Sequence, residues 1–255
     1  MPRTLTLDVE QGLATLCIAR EHGNAINGEL VDELTAACRQ AEEDAEVRGL
    51  MLAASGKLFC PGLDLQELIE LDRSAMEDFL DRFNRCILAL YRFPKPMLAR
   101  MHGHAIAGGC VLALTADWRV LRAGARVGLN EVRVGVPFPY GVAMILREAA
   151  ARVEEVALFG RNYEGADALS AGLVHEVHAA EEFDEHCRAR LRELMDKDSR
   201  AFSITKRYLR SPTVDRILHH EQNLAHEFVD SWFSPTTQER LHGMADELRK
   251  RSKGG

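Results

Sequence analysis

The run Gly49-Leu-Met-Leu-Ala-Ala54 is short and wholly apolar. A strand without a polar face has to be covered on both sides, which calls for a sheet flanked by helices. The N-terminal part of the chain supplies both kinds of element. Leu5, Leu7 and Val9 alternate with polar residues, Gln11-Gly12 offers a turn, and 14–19 returns, which predicts a hairpin. Asn27 is placed to cap a helix in which Leu30, Leu34, Cys38 and Ala41 recur at helical spacing. Ser74 and Glu77 have the spacing of a capping box. They precede an apolar face of Met76, Phe79, Leu80, Phe83, Ile87 and Leu90, and that helix stops at Pro94-Lys95-Pro96. Segments 97–103 and 117–123 read as further strands, with a short apolar helix around 111–114 between them.

Beyond about Ala180 the strand pattern ends. Four helical segments are predicted, over 181–196, 200–209, 214–228 and 235–251. The last opens with Ser234 as N-cap and Pro235 at the first helical position. No low-complexity linker interrupts the 255 residues. The fold class is α/β, with a core over 1–198 followed by an α-helical C-terminal region over 199–255.

The formal charge of −7 argues against a general nucleic-acid binder, which needs a basic face. The six cysteines contain no CxxC pair, so neither a zinc knuckle nor a redox dithiol is indicated. They read as small buried hydrophobes in a reducing compartment. The first residues lack the apolar core of a signal peptide, and the weakly polar stretch 105–116 is too short to span a bilayer. The expected location is the cytoplasm, away from membranes.

Two loops carry glycines where a strand meets a helix: Gly62 in "GKLFCPGLDLQEL" and Gly108-Gly109 in "GHAIAGGCVLAL". Glycine permits close approach of a ligand, and a helix start presents unpaired N–H groups. Two such loops suffice to aim two amides at one oxygen, as in an oxyanion hole. Plain turns are the competing reading. Neither loop is a G-x-x-x-x-G-K-[ST] or G-x-G-x-x-G phosphate cradle. A single carboxylate, Glu131, stands in the valine-, glycine- and proline-rich "RVGLNEVRVGVPFPYGV". The residues alone leave it either a solvated charge or a base held beside a substrate.

The ordered set "NAIN" (24–27), "FCPGLDL" (59–65), "GHAIAGGCVLALTADWRV" (103–120), "GLNEVRVGVPFP" (128–139) and "ALSAGLVHEV" (168–177) resembles the crotonase, or enoyl-CoA hydratase/isomerase, family over nearly the whole chain. The resemblance implies a spiral of repeated ββα units and a helical tail used in trimer assembly, giving a homotrimer or a dimer of trimers. It also implies an acyl-CoA thioester as substrate, with no metal and no cofactor beyond the coenzyme A that the substrate carries. By motif position the oxyanion amides are those of Leu63 and Gly108. Substrate contacts fall to Asn24, Ala25, Gly62, Asp64, Leu65, Gly109 and Lys206. Arg20, Lys206 and Arg207 are candidates for the CoA phosphates, with a solvated basic face as the alternative.

Hydratases of this family resemble one another in carrying two glutamates. Here the first position is Val111 and the second is Glu131. Pro61 stands where a small residue is usual, and Ala107 replaces the first glycine of a triplet. Pro137-Phe138-Pro139 replaces a glycine-rich segment, which reshapes one wall of the acyl pocket. "GLNE" with an aliphatic residue at 111 resembles the Δ3,Δ2-enoyl-CoA isomerase branch. There one base takes a proton from C2 and returns it to C4. Hydration, another acyl-CoA reaction, or acyl-CoA binding without turnover are the alternatives.

Other polar residues have structural readings. Asp64 suits a helix cap and Asp117 a turn or an ion pair. His102 and His104 lack further ligands for a metal, and His219-His220 suits a helix surface. Cys60 and Cys110 lack a local base, and Arg249-Lys250-Arg251 suits a helix C-terminus.

Overall fold

The computed structural model describes residues 4–253, without the side chains of His22 and of 251–253. Strands β1 (Leu5–Glu10) and β2 (Leu13–Ile18) form the expected antiparallel hairpin. Gln11 and Gly12 turn it with positive φ at both positions, as a tight two-residue hairpin requires. Asn27 caps α1 (Gly28–Glu43) by accepting the Leu30 N–H at 3.0 Å. Then follow β3 (Gly49–Ala54), α2 (Leu65–Leu68), α3 (Arg73–Arg92), β4 (Met97–Met101), β5 (Ala105–Ile106) and α4 (Gly108–Leu114). β6 (Trp118–Arg122) and β7 (Val127–Gly128) lead through a 3-10 turn (Glu131–Val134) to α5 (Tyr140–Ala149). The chain continues with α6 (Val153–Phe159), β8 (Asn162–Tyr163), α7 (Gly165–Ser170), β9 (Glu176–His178), α8 (Phe183–Met195), α9 (Ser199–Trp232) and α10 (Pro235–Lys253).

The large sheet has the order β1-β2-β3-β4-β6-β9, parallel from β2 onward. A second sheet, β5-β7-β8, is extended by bridges from Cys60 to Ala105 and from Ile26 to Leu63. The chain therefore repeats one move. It runs through a strand of the large sheet, touches the second ladder, and returns by a helix: β2, Ile26, α1; then β3, 60–63, α2 and α3; then β4, β5, α4; then β6, β7, α5. This is a spiral of ββα units.

The apolar run of β3 is buried on both faces, as its composition demands. Leu50, Leu52 and Ala54 join the main core beneath α1 and α3. Met51 and Ala53 join a second cluster with Phe183, Leu191 and Met195 of α8. Each of the leucine, methionine and phenylalanine side chains contributes roughly 1.5–3 kcal/mol on burial.

Two expectations are corrected. The cap of α3 is Asp72, which accepts the Ala75 N–H at 2.8 Å, and the helix already includes Ser74. The two helices read over 200–209 and 214–228 are one 34-residue helix, α9, that runs through Pro212. Proline removes one N–H and crowds the Tyr208 carbonyl, at about 3 kcal/mol. Burial of Thr213, Val214 and Ile217 where α9 packs on α3 and α5 opposes that cost. No described helix is long and apolar enough to cross a membrane.

Candidate active site

The two glycine loops meet. Ile26 donates its N–H to the Gly62 carbonyl and accepts the Asp64 N–H, both at 2.8 Å. In a trans peptide the N–H points opposite to the carbonyl, so the Leu63 amide is turned away from Ile26. Gly62 sits at φ +107, a conformation that favours glycine, and a Cβ there would lie 3.4 Å from the Gly108 nitrogen. Gly108 is the first residue of α4, where an N–H has no partner within the helix. Neither the Leu63 nor the Gly108 amide has a hydrogen-bond partner among the described residues. Gly109 is held by packing, since a Cβ there would come within 2.1 Å of the Cys60 carbonyl oxygen.

Leu63 and Gly108 line a cavity of about 130 Å³ together with Pro61, Leu65, Ala107 and Val111. The chain's C-terminal helices close it. Phe228 and Trp232 of α9 and Leu241 and Met244 of α10 form one part of the wall, and Phe79, Leu80 and Phe83 of α3 another. Apart from the Trp232 indole, Asn130 and Glu131 are its only polar side chains among the described residues.

Glu131 opens the 3-10 turn that follows β7. Gly135, at φ +87, ends that turn, and its carbonyl accepts a hydrogen bond from Thr237 of α10 at 3.2 Å. Glu131 Oε2 is buried without a partner. Loss of solvent pushes its carboxyl up to about 7, against the opposing pull of backbone hydrogen bonds from Glu131 and Asn130. Such a group exchanges a proton readily near neutral pH. Val111, nearly fully buried, brings an aliphatic side chain to the same cavity.

Several residues expected at a substrate do not line this cavity. Asn24 is buried, and its side chain accepts from Arg20 N and donates to the Ser55 and Leu58 carbonyls. Ala25 is buried and its carbonyl accepts from Arg20. Asp64 caps α2 through Gln66 N and pairs with Arg20 at 2.6 Å. Arg20 also pairs with Glu67, so its guanidinium braces the Gly62–Leu65 loop and is taken up there. Lys206 is a clear correction. Its ammonium is buried on Asp117 Oδ2 at 2.6 Å and on the Lys95 carbonyl at 3.0 Å, away from the cavity. Burial lowers it to about 8 despite Asp117. Asp117 also accepts from Arg210 and Met97 N, as an ion-pair anchor. Arg207 is exposed on the surface of α9.

The remaining candidates are structural. His102 and His104 direct ring nitrogens to Gly56 O and Arg126 N. Burial raises the Cys60 thiol to about 12 and the Cys110 thiol higher still. His219 and His220 pack edge to face on α9. Arg249 pairs with Glu70 and Asp246, while the Arg251 side chain lies outside the described residues. Phe228, Trp232, Leu241 and Met244 were not anticipated at the site. Apolar spacing in the last two helices is their only sequence signal, and it does not say which cavity they close.

Residues 8–251 match the family model described as enoyl-CoA hydratase/isomerase. A probable enoyl-CoA hydratase of Bacillus subtilis is 27% identical, over 98% of either chain. The mitochondrial enoyl-CoA delta isomerase 1 of Rattus norvegicus is 24% identical, over 95% of this chain and 86% of that one. The crystal structure of human mitochondrial delta3-delta2-enoyl-CoA isomerase superposes with a TM-score of 0.93 at 23% identity, covering 99% of this chain and 100% of that one. With its ββα spiral and its family match over nearly the whole length, the chain belongs to the enoyl-CoA hydratase/isomerase family.

Proposed function

We propose that the protein moves the double bond of an acyl-CoA thioester from the 3,4 to the 2,3 position. The observation that carries this reading is one carboxylate, Glu131, whose Oε2 is buried without a hydrogen-bond partner, in an apolar cavity that also holds two unpaired main-chain amides. The thioester oxygen sits against the Leu63 and Gly108 N–H groups. Glu131 takes the proton from C2, and the electron pair of the broken C–H bond passes toward the carbonyl as its π pair moves onto oxygen. The resulting dienolate carries its charge where the two amides donate, each worth about 3 kcal/mol in such holes. Glu131 then returns the proton at C4, the carbonyl reforms, and the double bond lies between C2 and C3.

Relatives are named both hydratase and isomerase. Hydration requires a water to be positioned and its proton managed, a task suited to two carboxylates. Val111 supplies none, which favours isomerisation. The test is a comparison of two rates. A 3-enoyl-CoA is offered and the conjugated product followed by absorbance; a 2-enoyl-CoA is offered and its loss by hydration followed. The expected result is isomerisation at least about 100-fold faster. Faster hydration would overturn the assignment.

A further inference from the structure

The apolar cavity has an open end and a closed end. Around the two amides, Pro61, Leu63, Leu65 and Ala107 are half-buried. The wall supplied by α3, α5 and α9 is different: Phe79, Leu80, Phe83, Val142, Phe228 and Trp232 are at most 5% exposed. The nucleotide of coenzyme A is too large and too polar for an apolar space of about 130 Å³, so it stays outside the half-buried rim. An acyl chain held at the amides then points toward the buried wall.

Two further spaces lie behind that wall. One is a groove of about 330 Å³ between α3 and α9, bordered by the exposed residues Glu77, Asp81, Gln222 and His226. Among the described residues, Leu80 alone lines both this groove and the apolar cavity. The other space meets the cavity only at Val142 and measures about 10 Å³, which leaves no room for a chain. Its border with the groove is fixed by polar bonds. Asn84 donates to Glu221 Oε1 at 2.7 Å, and Glu221 Oε2 accepts the Gly141 N–H at 2.6 Å. Leu80 is held by packing alone, in the main core on the same apolar face of α3 as Met76, Phe79 and Phe83.

We propose that Leu80 sets the longest acyl chain the protein accepts, as the partition between the acyl cavity and the α3–α9 groove. The inference rests on the acyl-CoA reading of the cavity and adds chain length to it. Each CH2 that leaves water for the cavity tightens binding roughly fourfold. A chain that has reached Leu80 gains nothing from the next CH2, because the wall is close-packed and overfilling it costs as much as burial gains. Truncating Leu80 joins the cavity to the groove, and the chain continues into it.

Saturated, straight-chain acyl-CoAs of increasing length, which cannot react, test this by titration calorimetry. Wild-type affinity is expected to rise with length and then level or fall at one break point. Leu80→Ala is expected to move the break by at least about two CH2, so that a chain two carbons past the wild-type break binds about 10-fold more tightly than to wild type. Adding Ala225→Phe, which fills the groove from the far side, is expected to return the break to its wild-type length. A wild type without a break, an unmoved break in Leu80→Ala, or a shift that survives Ala225→Phe overturns the inference. Should Leu80→Ala fail to fold, Leu80→Val is expected to move the break by one CH2, about 3-fold in affinity at that length, and an unmoved break overturns the inference. If no acyl-CoA of any length binds, the acyl-CoA reading itself fails, whereas binding with no dependence on residue 80 overturns only the role of Leu80.

Discussion

A Cβ on Gly62 would lie 2.8 Å from the Ala107 methyl and 3.4 Å from the Gly108 nitrogen, so the two loops that carry the unpaired amides are already in contact. Nothing larger than hydrogen fits between them. Gly62→Ala is expected to lower kcat by about 100-fold or more, because it separates the paired donors. Strain at φ +107 adds a stability loss of about 1–3 kcal/mol. Steady-state rates and a thermal melt check the two effects separately.

Ala107 sits at φ 51, ψ −125, a conformation open to glycine and strained for alanine. Relief of that strain, about 1–3 kcal/mol, exceeds the entropy that a glycine adds to the unfolded chain, about 0.5–1 kcal/mol. Ala107→Gly is therefore expected to raise stability by about 1 kcal/mol, or roughly 2–4 °C in Tm for a chain of this size. A lower Tm would mean that the methyl contributes packing that outweighs the strain.

Arg20 joins the end of β2 to Asp64 and Glu67 on the far side of the Gly62–Leu65 loop. Arg20→Ala removes the cation beside a nearly fully buried carboxylate, at about 3–5 kcal/mol. In the fraction that folds, the Leu63 amide loses its brace. The expected outcome is a fall in kcat larger than the rise in KM, since the oxyanion contact is strongest in the transition state. An unchanged kcat with a raised KM would instead place Arg20 at the substrate.

The carboxyl of Glu131 is raised to about 7 by burial. Its basic form is the ionised one, so kcat/KM is expected to rise with pH through about 7 and then level. The stability effect runs the other way. Between about 4.5 and 7 the folded chain keeps a proton that the unfolded chain has released, so the native state binds more protons. Stability then falls as pH rises through that window, by up to roughly 3 kcal/mol. Glu131→Gln removes the effect. The variant is expected to exceed wild type in stability at about pH 8 and to match it near pH 4, as measured by denaturant titration.

Much of this was legible in the chain. The apolar run of β3 required cover on both faces, and alternate residues do go to two different clusters. Asn27 capped its helix as its position implied. The glycine loops and Glu131 come to one cavity. What the chain hides is decided by tertiary contact. Pro212 reads as a break, yet burial on α3 and α5 carries α9 through it. Lys206 reads as a surface cation, yet its face of α9 turns inward onto Asp117. Arg20 reads as free for a phosphate until Asp64, 44 positions away, is brought within 2.6 Å of it. The aromatic wall from Phe228 and Trp232 depends on how the last helices return over the N-terminal loops, which local periodicity does not encode.

The most direct test follows one atom. A 3-enoyl-CoA deuterated at C2 is incubated with the wild type and with Glu131→Gln, and the 2-enoyl product is examined for deuterium at C4. A single carboxyl that carries the proton within a closed apolar cavity is expected to deliver label to C4, and Glu131→Gln to turn over at least about 1000-fold more slowly. Product without label at C4, formed by Glu131→Gln as fast as by wild type, would contradict the role of Glu131.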